Sequence, residues 1–517
     1  MIEQTSIGLT KRERNFMWIA SFVLLVLMVL NSINSINYFN PDEYYQIIEF
    51  AAYKQGKVVQ QDLAWEFKAQ SRRAIQPFAC YLLFESLDKI EISEPIQQIR
   101  TLRILTGLFS VFCIFLFVKS SLKFFKSPFR LAFIAVSMIA WFVPYYYVRF
   151  TSESVSQSLF LLSLSLVFRR DLKFLGLLLS GFILGIAFYI RFQTAFLLAG
   201  LLIGMIFIEK YSAKQIFIML LGGIFALLIG VLIDKWFYGN WVFTPWTYFD
   251  QQILNSVASQ FGEQPFYYYV TQLFYFSTPV IGILIYLSLI ISPLLKKINT
   301  VYVVFIVSLI GLSVIGHKEF RFLVAIINLL PFIVVYFIQE LRLQKVFFSG
   351  IFTNKWFIIV LLVFNTGAIT LSTAYNNNLF TDDNKSLSYV ISRDYRDKKV
   401  HLLYFNHRHP FKDDVELKFK NDTLHLYQRF IMPPRFTDQR LYELDSSTLT
   451  KKPGTDVQLL YVRKSEYLKL PNKELVTKYG YQLKYISAPR WLENLLNSNK
   501  VLGSQYNDWV MYIFEKN

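Results

Sequence analysis

Phe16-Met17-Trp18-Ile19-Ala20-Ser21-Phe22-Val23-Leu24-Leu25-Val26-Leu27-Met28-Val29-Leu30-Asn31-Ser32-Ile33 is followed, seven residues on, by Asn40-Pro41-Asp42-Glu43-Tyr44-Tyr45-Gln46. The first stretch is long and apolar enough to cross a bilayer. The second sets two adjacent carboxylates at its mouth, where charge is costly unless it has a task. Lys11, Arg12 and Arg14 precede the apolar run without a small-residue cleavage site after it, so the segment reads as an uncleaved signal anchor. Pro41 stops one helix, and Glu43, Gln46, Glu49 and Phe50 start a short amphipathic one. The reading that organises the chain is a catalytic acid group, Asp42 with Glu43, at the surface of a membrane-embedded enzyme.

Composition agrees with this class. Of 517 residues, 54% are hydrophobic, 18% aromatic and only 17% charged, with mean hydropathy +0.37. A soluble domain is less apolar. The net charge of +17 would suggest nucleic acid in a soluble protein. Here the basic residues sit in short loops between apolar runs, as the positive-inside rule requires, and no nucleic-acid partner is expected. Cys80 and Cys113 form neither a disulfide framework nor a metal-ligand spacing.

Roughly eleven apolar runs follow, near 16–33, 100–118, 130–147, 155–168, 174–190, 194–208, 215–233, 268–293, 301–315, 321–339 and 356–373. Basic groups fall on alternate connections: the N-terminal cluster, 119–130, 169–173, 210–214, 296–297 and 342–345. These belong on the cytoplasmic side. The residues with chemical character lie on the opposite connections: 37–98, 149–153, 190–193, 234–266 and 316–321. The expected site therefore faces away from the cytoplasm.

The expected fold is a multi-pass α-helical membrane module over 1–375, its external loop 37–98 carrying interfacial helices, then a small soluble α/β domain over 376–517. Tyr44, Tyr45, Tyr53 and Trp65 would sit at headgroup depth. In the tail, Val400–Phe405, Val457–Val462 and Trp509–Phe514 read as strands, and Lys473–Tyr479 and Pro489–Asn497 as helices.

A desolvated carboxylate can deprotonate an alcohol near neutral pH, and a leaving phosphate on the same face needs cations. Arg149, Arg191, His317, Lys318 and Arg321 supply them, although a single arginine at a span end is more often a snorkelling side chain. Trp65, Glu66 and Arg72 add acid, base and ring to the first loop. Asp234, Tyr238 and Trp241 open an aromatic, glycine-bearing stretch suited to the apolar faces of sugar rings. Together these residues suggest transfer from a phosphate-activated lipid donor to a hydroxyl.

On these motifs the chain resembles glycosyltransferase family 22, the GT-C-type mannosyltransferases that use dolichyl-phosphate-mannose in glycosylphosphatidylinositol-anchor and N-glycan precursor assembly. Matching stretches run in family order over about 36–335: Asn40-Pro41-Asp42-Glu43 with Gln46 and Glu49; Trp65-Glu66 with Arg72 and Pro77; Arg149 to Glu153; Asp234 with Tyr238-Gly239; Phe261-Gly262 with Pro265 and Tyr268-Tyr269; and His317-Lys318-Glu319-Phe320-Arg321-Phe322 with Pro331. Gln193 departs from the family's proline. The resemblance implies a GT-C fold, Asp42 as general base with Glu43 its neighbour or substitute, and His317, Lys318 and Arg321 at the donor phosphate. It implies mannose from a polyprenyl-phosphate donor, an α-linkage by inversion, a lipid-linked glycan or glycolipid acceptor, and no divalent metal or other cofactor. The host membrane would be a bacterial inner membrane or the endoplasmic reticulum. The rival readings are a polyprenyl-linked-sugar transporter or flippase, which would carry its ionisable groups near the bilayer midplane, and a structural subunit of a glycosylation complex.

Overall fold

The computed structural model describes residues 9–516 apart from 36–37, 39, 170, 277, 346–349, 351–353, 375–382, 406–408, 418–421, 488–493, 495–506 and 509. The chain forms two compact units, each assembled from separated segments: 1–32, 66–79 and 101–373 in one, and 33–65, 80–100 and 374–517 in the other.

The first unit is a helical bundle, and each of the eleven apolar runs is helical in it. Lys11–Asn34, Pro95–Phe124, Phe129–Tyr146, Ala213–Tyr238 and Lys355–Thr373 are long and apolar enough to cross a bilayer, and Phe174–Ile190, Thr194–Phe207, Ile281–Leu294 and Thr300–Val314 are shorter apolar helices. Three runs are less regular than their hydropathy suggests. The eighth is two helices, Tyr268–Phe276 and Thr278–Leu294, that pack on one another, the Tyr286 hydroxyl donating to the Val270 carbonyl and its ring stacked on Phe274 at 6.1 Å. The third breaks at Ala140, whose ψ of 134° is extended, and the tenth begins as 3₁₀ turns at Phe320–Ala325 and Ile327–Leu329 before Leu330–Leu343.

Where no water reaches, small and self-satisfying side chains knit the helices. Ser163 meets Ser180 at 2.7 Å, and Ser110 meets Ser158 at 3.1 Å. Asn365 donates to the Ile139 carbonyl at 2.8 Å and accepts from the Trp141 N–H at 2.9 Å, bracing the break at Ala140. Outward, Trp356, Val360, Val363 and Phe364 of the last helix are exposed, as lipid-facing side chains are.

Charge placement marks one end of this bundle. Arg130 pairs with Glu13 at 3.4 Å, Lys123 donates to the Phe168 carbonyl, and Tyr211 donates to the Val167 carbonyl at 2.7 Å. Thr300 meets Glu209 at 2.8 Å, Lys297 pairs with Glu340 at 3.1 Å, and the Gln339 amide oxygen accepts the Lys126 N–H at 2.6 Å. The basic connections are thus bonded to one another.

The second unit holds a five-stranded sheet in the order β4-β1-β5-β7-β6. Here β1 is Val400–Phe405, β4 Phe436–Leu441, β5 Val457–Arg463, β6 Gln482–Ile486 and β7 Met511–Lys516; β2 (Lys412–Leu417) and β3 (Asp422–Tyr427) pair antiparallel as a separate ribbon. β1 runs parallel to β4 and β5, and β7 antiparallel to β5 and β6. β1 is buried throughout and β5 throughout except at Arg463, the mark of strands covered on both faces. The expected strands at 400–405 and 457–462 are β1 and β5, the strand at 509–514 is β7 shifted two residues, and the expected helix at 473–479 is Leu470–Lys478. The helix expected at 489–497 lies outside the described residues but for position 494.

Two features of the first loop differ from the sequence reading. Residues 33–65 and 80–100 belong with the tail, and only 66–79 belongs with the bundle. Tyr44 and Tyr45 are buried in this second unit, against Tyr38, and not at a lipid surface.

Candidate active site

In the second unit, the side-chain oxygen of Asn40 accepts the Asp42 N–H at 3.1 Å and caps the helix that Pro41 opens. Proline suits this first turn because its missing N–H has no partner there anyway. The cap fixes Asp42 and Glu43 in the first turn and sends them to different surroundings: Asp42 is half-buried and Glu43 is buried. Only the first keeps contact with solvent. A π-helical turn at Tyr44–Ile48 then re-aims the chain into Glu49–Lys54.

Glu49 is buried, and one of its oxygens accepts the Phe430 N–H at 3.1 Å. Beside it Arg429 pairs with Asp62 at 2.8 Å and the Phe430 ring stacks on Phe84 at 5.1 Å. Burial pushes the Glu49 carboxyl up to about 8, against the opposing pull of the Phe430 hydrogen bond. The folded chain therefore keeps this proton up to about pH 8, while the unfolded chain releases it near 4.5. Between those values the folded state binds more protons, so stability declines as pH rises through the window and levels off above it. The slope is at most about 1.4 kcal/mol per pH unit. Thermal melting in detergent from pH 5 to 9 is expected to show this decline, and Glu49→Gln is expected to flatten it.

At the end of the bundle away from the basic connections, residues 66–79 converge with the connections 149–153, 190–193, 234–266 and 316–321. The Asp234 carboxylate accepts the Ala74 N–H at 2.7 Å, the Tyr189 hydroxyl at 2.5 Å and the Thr244 hydroxyl at 2.6 Å. Expected to meet a sugar, it is fully buried with both oxygens engaged, and it ties residues 66–79 to two helices and the following turn. Asp234→Ala would remove the acceptor of three buried donors, Thr244 alone keeping a second partner in the Tyr189 hydroxyl at 3.2 Å, at about 1–3 kcal/mol for each donor left unpaired. The expected result is a loss of about 3 kcal/mol or more in the detergent melting transition.

Tyr238 donates to the Arg72 carbonyl at 2.5 Å, and Arg72 pairs with Glu66 at 3.2 Å. Arg191 pairs with the buried Glu153 at 2.7 Å, touches Ser152 at 3.2 Å and lies 4.9 Å over the Phe322 ring. Arg149 is buried with its guanidinium 5.3 Å over Tyr145, and Gln76 donates to the Phe150 carbonyl at 3.1 Å. Gln193 uses its side-chain amide to reach the Tyr248 hydroxyl at 2.9 Å. Trp241 is exposed, with Lys235 at 3.9 Å over its ring.

The 316–321 connection is a relay of charge. His317 bonds the Gly262 carbonyl through Nδ1 at 2.9 Å and Glu319 through Nε2 at 3.0 Å, and Glu319 pairs with Arg321 at 2.7 Å. Gly262 sits at φ +100°, a conformation side-chain-bearing residues rarely adopt, and this presents its carbonyl. Burial pushes Glu319 upward, but His317 and Arg321 outweigh it and hold the carboxyl down at about 2. The Glu319 hydrogen bond raises His317 against its own burial. Lys318 donates to the Gln264 carbonyl at 2.8 Å and the Gly316 carbonyl at 3.4 Å.

The bundle thus gathers Glu66, Arg72, Arg149, Arg191, Asp234, Tyr238, His317, Lys318 and Arg321, while Asp42, Glu43 and Trp65 lie in the other unit. Sequence reasoning passed over Arg73, Tyr189, Thr244 and Tyr248 as site residues, and met Glu153 only as the end of a family stretch. Their signal was position on the alternate connections or, for Tyr189, at the helix end that leads into one. Among the described residues no group of three or more His, Cys, Asp or Glu side chains could hold a metal ion.

Comparison with known proteins gives mannosyltransferase APTG1 of Arabidopsis thaliana, 25% identical over 306 residues, 56% of this chain and 53% of the relative. GPI mannosyltransferase 3 of Candida albicans is 26% identical over 297 residues, 55% of this chain and 57% of the relative. The chain spans about half the length of these curated relatives. Among solved structures, ArnT from Cupriavidus metallidurans bound to undecaprenyl phosphate aligns over 96% of this chain and 98% of its own, at 11% identity and a TM-score of 0.47. The model of the Alg9-like mannosyltransferase family matches residues 18–411, from the first span through the 316–321 connection and into the tail, and the chain belongs to that family.

Proposed function

We propose that the chain is an integral-membrane inverting mannosyltransferase, moving mannose from a polyprenyl-phosphate donor to a hydroxyl of a lipid-linked glycan or glycolipid. The observation that carries this reading is the Asn40-capped turn, which keeps Asp42 accessible while burying Glu43, in a chain of a mannosyltransferase family. Asp42 takes the proton of the acceptor hydroxyl. The resulting nucleophile attacks the anomeric carbon opposite the phosphate, the carbon–oxygen bond to phosphate breaks, and polyprenyl phosphate leaves with the bonding electrons. A β-linked donor so gives an α-linked product. Cationic side chains of the 149–153, 190–193 and 316–321 connections offset the charge that develops on the leaving phosphate. No step requires a metal ion. The bonding of the basic connections at one end of the bundle supports a site on the non-cytoplasmic face of the membrane.

The test is transfer by the purified protein in detergent, from polyprenyl-phosphate-mannose to a panel of lipid-linked glycans, with and without EDTA. EDTA-resistant transfer is expected, and the responding acceptor identifies the substrate. Donor binding with no transfer to any acceptor would overturn the proposal in favour of lipid-linked-sugar translocation.

A further inference from the structure

Arg73 differs from Arg191, Arg321 and Lys318. Arg191 has Glu153, Arg321 has Glu319, and Lys318 has two carbonyls. Arg73 is 8% exposed, its Nη1 is buried with no hydrogen-bond partner, and among the described residues no carboxylate pairs with it. Its guanidinium lies 5.0 Å over the Phe192 ring and 5.9 Å over the Tyr248 ring. Ring contacts of this kind occupy the faces of the guanidinium and leave its edge, with its fork of N–H donors, unspent. Burial, then Arg72 and Arg191 close enough to repel it, push the guanidinium down to about 10, against the attraction of Tyr248, Glu153 and the engaged Asp234 carboxylate. It stays charged at any physiological pH.

A buried, unpaired charge beside two like charges is unfavourable in the empty protein. An oxyanion placed at the guanidinium edge relieves both the missing hydrogen bonds and the repulsion. The geometry points to Arg73 as the seat of a phosphate oxyanion, held edge-on by the guanidinium between Phe192 and Tyr248. This inference rests on the proposed reaction for the phosphate's expected source, the lipid donor; an acceptor lipid that carries phosphate offers the same chemistry.

The experiment is equilibrium binding of three probes to the purified full chain: polyprenyl phosphate, the neutral polyprenol, and phosphatidylinositol. Arg73→Gln is expected to weaken polyprenyl phosphate binding tenfold or more, Arg73→Lys to restore part of it as a point charge, and both to leave polyprenol binding unchanged. Loss confined to phosphatidylinositol would keep the seat and assign it to an acceptor. Unchanged affinity for both phosphate lipids, or an equal loss for polyprenol, would overturn the seat. If the wild type transfers no mannose yet binds phosphate lipid in an Arg73-dependent way, the seat stands and the proposed reaction does not.

Discussion

Asp42→Asn is expected to lower mannosyl transfer by about 10²–10⁴-fold, the usual contribution of a positioned general base. The amide keeps the size and the capped turn, since the Asn40 oxygen bonds the backbone N–H of residue 42 and not its side chain. Thermal melting should therefore stay close to that of the wild type. A lost base lowers kcat with little change in donor KM. Glu43→Gln is the informative companion. Glu43 is buried, so its loss should move stability more than turnover. Retained transfer in Asp42→Asn would remove Asp42 from the mechanism, and a matching collapse in Glu43→Gln would hand the role to its neighbour.

Gly181→Val is expected to destabilise the bundle by about 3 kcal/mol or more, at the upper end of overpacking effects. The helices Phe174–Ile190 and Ala213–Tyr238 cross with almost no gap. A Cβ on Gly181 would stand 1.8 Å from the Met219 carbonyl oxygen, and one on Gly222 would stand 2.1 Å from the Leu178 carbonyl oxygen. Both obstacles are backbone, so no side-chain rotation relieves them. The small residues recur four apart, Gly181 with Gly185 and Gly222 with Ala226 and Gly230, the spacing that lets backbones approach in lipid. Gly223 supplies the control beside them: a Cβ there would meet only the Gly181 carbonyl oxygen, at an ordinary 3.7 Å. Gly223→Ala should express and melt normally while Gly181→Val accumulates poorly and loses its cooperative transition.

Much of this arrangement was legible in the sequence because a bilayer imposes simple rules. Apolar length marks the helices, and basic side chains sort the connections into two sets that the hydrogen bonds then join at separate ends. The broken third and tenth runs were not legible, because Asn365 and the 3₁₀ turns leave no hydropathy signal. Nor was the make-up of the second unit. Glu49 and Phe430 lie 381 positions apart, and no local pattern announces such a bond. β2 escaped because charged residues interrupt its alternation, in Lys412-Asp413-Asp414-Val415-Glu416-Leu417. At the site, residue type pointed to Asp42 and the His317 connection. It could not separate Asp234, whose oxygens are all engaged, from Arg73, whose edge is not.

The interleaving of the second unit sets an order of events during synthesis. Glu49 and Asp62 leave the ribosome early, yet their partners Phe430 and Arg429 follow 381 and 367 residues later, and β7, between β5 and β6, later still. Contacts of such separation form slowly and after their late half exists. Glu49 must wait until the tail arrives to enclose it. A chain cut short before residue 428 would insert its spans and still leave Glu49 and Asp62 without the tail that encloses them.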